Sequence, residues 1–134
     1  MNFRSITILG VIALIAASCF SVDGDGQEVK KSEKVLRHVV LFKFKEECTD
    51  EQIQEVADAF AALPQKIDTI IDFEWGTDIS VEDKHKGFTH GFLVTFADEK
   101  GREIYLPHPD HKEFGKLVGP RLADVLVFDY WSKK

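Results

Sequence analysis

The sequence predicts an α+β domain in which a four-stranded antiparallel sheet carries helices on one face, in the order βαββααβ. Three observations predict it. Four segments rich in β-branched and aromatic residues show strand-like alternation. The first two are separated by a segment whose apolar residues recur at helical spacing. The last two are separated by a helical stretch that prolines interrupt. The chain has 134 residues, of which 44% are hydrophobic and eleven are Phe. That is enough to build one core without metal or disulfide support.

The first strand covers Leu36 to Lys45 (LRHVVLFKFK). His38, Val40, Phe42 and Phe44 point one way, and Val39 and Leu41 the other. Thr49 and Gln52 then form a capping box, and Ile53, Val56, Ala57, Phe60 and Leu63 mark one helical face that ends before Pro64. The second strand, Ile70 to Trp75, sets Ile71, Phe73 and Trp75 against Asp72 and Glu74. Gly76 is assigned to a turn needing positive φ, opening a polar loop that runs to Lys86. The third strand, Phe88 to Phe96, places Phe88, His90, Phe92, Val94 and Phe96 on one face.

Asp98 caps a short helix bearing Ile104, Tyr105 and Leu106, which Pro107 and Pro109 interrupt. A second helix runs from about Pro109 to Leu117, with His108 as its cap, and Val125 to Tyr130 forms the fourth strand. The order is that of the ferredoxin-like split βαβ fold. Helices cover one sheet face only, yet the strands are apolar on both: Val39 and Leu41 oppose Val40 and Phe42, and Leu126 and Phe128 oppose Val125 and Val127. A symmetric dimer that stacks sheet on sheet buries the second face, so a homodimer is expected.

The N-terminus reads as a targeting segment. Arg4 supplies a basic start, Ile6 to Ala17 is an apolar run, and Ala16-Ala17-Ser18-Cys19 suits cleavage before Cys19, so residues 1–18 are a signal peptide. The run is too short for a spanning helix, which needs about 20 residues. The junction resembles a bacterial lipoprotein site, although Ala16 stands where such sites carry Leu. Lipidation of Cys19 and plain secretion both stay open. Either route implies export, to the periplasm or to a membrane-anchored state, with membrane contact only through a lipid on Cys19. Residues 19–34 form a polar tether and residues 35–134 the domain.

The chain carries a formal net charge of −6, and no run of Lys or Arg forms a stripe, which argues against nucleic acid as a partner. Cys48 has no adjacent base and reads as a buried or loop thiol. His85 lies in a charged loop and reads as solvated. His108 and His111 are three residues apart, but no acidic or Cys residue completes a metal-binding spacing, and neither metal nor cofactor is expected.

Several pieces in order carry a resemblance: R-H-V-V-L-F-K-F-K, the W-G after strand two, G-F-T-H-G-F-L-V-T-F, Y-L-P-H-P-D-H-K-E-F and F-D-Y. Together they resemble the Dabb family of stress-responsive dimeric α/β-barrel proteins across residues 36 to 130. The resemblance implies a dimeric α/β barrel with a small apolar pocket between each sheet and its helices. Plant polyketide cyclases of that family use a Tyr and a His as an acid/base pair, which implies Tyr105 and His111 here. His38 and His90 match pocket-lining positions, and with Val40 and Phe92 they are the candidate substrate-binding residues.

Chemically, His111 is suited to take a proton beside a carbonyl while the Tyr105 hydroxyl supports the developing enolate. The competing reading makes the two a structural pair at the broken helix. Three functions follow: an exported homodimer whose pocket binds a small apolar or aromatic molecule; a cyclase-like lyase or isomerase acting through Tyr105 and His111; and a non-catalytic structural dimer module.

Overall fold

Thr49 starts the first helix as its spacing predicts. Its side chain accepts a hydrogen bond from the amide of Gln52, whose own side chain caps the amide of Thr49 in return. The computed structural model describes residues 34–133. The signal segment, the Cys19 site and the tether up to residue 33 lie outside the described residues. Within them, β1 (Leu36–Phe44) leads to α1 (Asp50–Ala61), β2 (Ile70–Thr77), β3 (His90–Phe96), α2 (Glu99–Tyr105), α3 (Pro109–Val118) and β4 (Leu122–Trp131). Short 3-10 turns at Leu63–Gln65 and Gly119–Arg121 close α1 and α3. All neighbouring strands are antiparallel in the order β2-β3-β1-β4, the predicted ferredoxin-like sheet.

The core forms where the helices meet the sheet. Leu36, His38, Val40 and Phe42 of β1 are buried on that face, as are Phe92, Val94 and Phe96 of β3. Phe60 of α1 is the centre of an aromatic cluster. Its ring lies 4.6 Å from both Phe92 and Phe114, 5.3 Å from Phe73 and 6.0 Å from Phe42. Offset aromatic contacts at these separations add to the burial of the rings themselves.

Several details depart from the sequence reading, among them the start of β3 at His90 rather than Phe88. A bulge between Ile70 and Asp72 lets Ile70, not Ile71, share a face with Phe73 and Trp75; Ile70 is buried and Ile71 is half exposed. Gly76 belongs to the strand, opposite Gly91, and the positive φ angles fall later, at Asp83, Lys86 and Gly87. Leu106 stays helical ahead of Pro107, with φ −58° and ψ −45°. The chain leaves helical geometry at His108, where ψ is 137°, so Pro109 sets the break.

β4 is longer than its apolar run predicts and is the least covered strand. Leu126, Phe128 and Tyr130 project from the open sheet face and remain exposed, Phe128 by 60%. Val125 and Val127 lie on the helix face, yet they too are about half exposed because the helices do not extend over this edge.

Truncating the central ring tests this account of the core. Phe60→Ala is expected to cost about 3–5 kcal/mol in chemical denaturation. Thr49→Ala, which removes only the cap, is expected to cost about 1 kcal/mol. Similar losses for the two variants would show that Phe60 does not organise the core.

Candidate functional site

The site is built at the break between α2 and α3. Asp98 caps α2 by accepting a hydrogen bond from the Gly101 amide. A Cβ at Gly101 would lie 3.3 Å from the Cβ of Phe96, so the glycine lets α2 rest close against β3. Tyr105, at the end of α2, is thereby driven into the interior and is fully buried. After the break, His108 caps α3 through Nδ1, which accepts from the Asp110 amide at 3.2 Å. That amide is thus taken from the Leu106 carbonyl, the partner a continuous helix would give it. His111 fills the gap: its Nδ1–H donates to the Leu106 oxygen at 3.0 Å.

Two consequences follow for His111. With Nδ1 occupied as a donor, the neutral ring keeps a lone pair on Nε2. Burial lowers its pKa from 6.5, an effect that the Leu106 bond opposes and the neighbouring His38 and His108 reinforce. The imidazole ring lies 4.2 Å from that of Tyr105. The Tyr105 hydroxyl is buried and has no hydrogen-bond partner among the described residues, and burial pushes its pKa up. A buried polar group left unpaired costs roughly 1–3 kcal/mol, so this hydroxyl is a donor in need of an acceptor.

Tyr105 and His111 border an apolar cavity of about 300 Å³ between the sheet and the helices. His38 and Val40 line it from β1, Phe60, Phe114 and Val118 from α1 and α3, and Val125 and Val127 from β4. The half-exposed valines mark its open side. His38 is itself tied down: its Nδ1 lies 2.6 Å from Oδ1 of Asp129, and Arg102 donates from its guanidinium to Oδ2 of the same carboxylate at 2.6 Å.

The cavity therefore joins Tyr105, His111, His38 and Val40, and it leaves out His90 and Phe92. Phe92 shares a sheet row with Val40, but the stacked rings of Phe60 and Phe42 stand between it and the cavity. His90 is further along β3, edge-on to Phe44 and stacked on Trp75, and lines a separate open cleft with Leu41, His85 and Leu126. Sequence reasoning gave no role to Asp129 or Arg102. The signal for Asp129 was present, since a lone carboxylate in the run VLVFDYW falls on the same strand parity as the helix-facing Val125 and Val127.

Comparison with known proteins places these features in a family. Residues 36–132 match the model of Dabb, the stress responsive A/B barrel domain. The stress-response A/B barrel domain-containing protein HS1 of Arabidopsis thaliana is 35% identical over 76% of this chain and 94% of its own length. Olivetolic acid cyclase of Cannabis sativa is 32% identical over 74% of this chain and 98% of its own. Among solved structures, a hydroxynitrile lyase from Passiflora edulis superposes with a TM-score of 0.72 at 26% identity, covering 76% of this chain and 96% of the lyase. Two proteins described as dimeric and ferredoxin-like, from Jannaschia and Bacteroides fragilis, match at 25% identity with TM-scores of 0.64 and 0.59. Each covers 72% of this chain, and 97% and 94% of its own length. With the family model spanning the whole sheet and both crossovers, the chain belongs to the stress responsive A/B barrel domain family.

Proposed function

We propose that the cavity binds a small apolar or aromatic carbonyl compound and acts on it by acid–base chemistry, with His111 as base and Tyr105 as hydrogen-bond donor. One observation carries this reading. A partnerless buried phenol stands against an imidazole whose Nδ1 is fixed as a donor, at the edge of an otherwise apolar cavity. In this reaction Nε2 of His111 takes a proton from a carbon beside the carbonyl, or from the hydroxyl of a carbonyl adduct. In the first case the C–H pair forms the enolate; in the second the O–H pair closes the C=O, the pair of the breaking C–C bond leaves with the carbon group, and the His111 imidazolium returns the proton to it. In both, the Tyr105 O–H bonds the oxygen on which charge changes. The cyclase and lyase among the relatives support a site of this class.

The working unit we propose is a homodimer. Leu126, Phe128 and Tyr130 form an exposed apolar row on the open face of the sheet, and stacking a second sheet there removes them from water. The relatives described as dimeric support it. On the N-terminal residues alone we propose export, with cleavage before Cys19 and a lipid on that residue.

Turnover of mandelonitrile and of a linear poly-β-keto thioester tests the reaction. His111→Gln and Tyr105→Phe are each expected to lower kcat/KM by about 10²–10⁴ while the fold is retained. Unchanged rates would remove the mechanism. The base must be neutral and its pKa lies below 6.5, so the rate falls only on the acid side and stays level through neutral pH. Tyr105, raised above its ordinary 10.0, holds its proton and gives no loss below that value.

Light scattering checks the assembly. The domain is expected at dimer mass at micromolar concentration and Phe128→Asp at monomer mass; a monomeric unaltered chain overturns the dimer. Mass spectrometry of the exported protein is expected to find Cys19 as the lipid-bearing first residue, and a retained Met1 would refute processing.

A further inference from the structure

Arg102 lies outside the cavity, yet it reaches the cavity through two contacts. It sits one turn before Tyr105 on α2, and its guanidinium donates to Oδ2 of Asp129 at 2.6 Å. Asp129 is directly opposite His38 in the β1–β4 pairing, and its other oxygen, Oδ1, lies 2.6 Å from Nδ1 of His38. A guanidinium has donors only, so it keeps a proton off Oδ2, and the carboxylate then accepts at Oδ1 from the imidazole. Nδ1 of His38 therefore carries the hydrogen. The other ring nitrogen, Nε2, has no hydrogen-bond partner among the described residues, and the ring lines the cavity.

The ring itself is held in plane by packing. It meets Tyr105 edge-on at 5.9 Å and lies 6.3 Å from Phe96. The carboxylate is less confined, because β4 is an edge strand and the Asp129 side chain is 26% exposed. Without a second partner it is free to turn toward water and release His38 to either tautomer. Arg102 is the group that prevents this.

We propose that Arg102 is a positioning residue: it clamps Asp129 so that His38 keeps its hydrogen on Nδ1 and presents Nε2 to the cavity as a fixed acceptor for an O–H or N–H of the bound molecule. The inference deepens the acid–base reading and rests on it for the identity of the cavity. It adds a second, differently oriented imidazole to the pair Tyr105 and His111. The polar end of the cavity then has three distinct roles: a base, a donor and an acceptor.

The tautomer is read directly by ¹⁵N–¹H correlation spectra of the imidazole rings in the full chain at alkaline pH, with His38 assigned from His38→Gln. The unaltered protein is expected to show one His38 species, with protonated Nδ1 and pyridine-type Nε2. Arg102→Met is expected to shift His38 to a mixture of tautomers, and Arg102→Lys, which restores a single donor, to return the first pattern. Thermal unfolding of each variant separates this from loss of structure. An unchanged His38 pattern in a folded Arg102→Met variant overturns the proposal. If that variant does not fold, the unaltered spectrum still decides, because a His38 carrying its hydrogen on Nε2 overturns it equally. The spectra involve no turnover, so failure of the reaction on the chosen substrates leaves this result standing, and the reverse holds as well.

Discussion

The second crossover breaks at Pro109, which lacks an amide donor and pushes His108 into extended geometry. The rest of the site depends on that break. It leaves the Leu106 carbonyl without its helical partner, and His111 takes the vacancy and is fixed by it. It turns α3 so that Phe114 and Val118 close over Phe42 and Phe60, and it leaves Tyr105 at the end of a short helix with its ring inside and its hydroxyl unpaired. A continuous helix would satisfy the same backbone groups internally and set Tyr105 and His111, six residues apart, on different faces. The helical bonds lost at the break are replaced by side chains: His108 receives one amide, and His111 donates to one carbonyl.

Much of the fold was legible because local signals agreed with one another. Thr49 with Gln52, Asp98, and His108 before Pro109 each mark a helix start from side-chain chemistry, and each is observed as a cap. β1 and β3 show uninterrupted alternation, and their buried faces are the ones the alternation names. The errors fall where register is set by pairing. Counting alternate residues in β2 assumes a regular strand, and the bulge after Ile70 shifts the count by one. Gly76 reads as a turn because nothing local shows that Gly91 lies opposite it.

The site was legible in its aromatic and imidazole members and not in its ion pairs. Tyr105, His111 and His38 are residue types that draw attention wherever they fall. Grouping His90 and Phe92 with them followed from a shared strand face, but a face of four strands is wider than one cavity. The Phe60 cluster divides it, and that ring comes from α1, which no pattern within β3 reveals. Arg102 and Asp129 are separated by 27 positions, and their contact joins α2 to β4, which no local pattern in either segment reveals.

β4 ties these parts together, since its alternation serves two surfaces at once. Val125, Val127 and Asp129 face the cavity side, the first two as its wall and the third as the partner of His38; Leu126, Phe128 and Tyr130 face the open side. A slip of one residue against β1 would exchange the sets, placing Asp129 on the outer face and Phe128 beside His38. The irregularity in this pairing is confined to Lys43 and Phe44, beyond the last cavity residue of β1, so the register from Leu36 to Phe42 is continuous. This edge strand is thus fixed by its nine-residue partner, and the carboxylate that orients His38 inherits its position from that pairing.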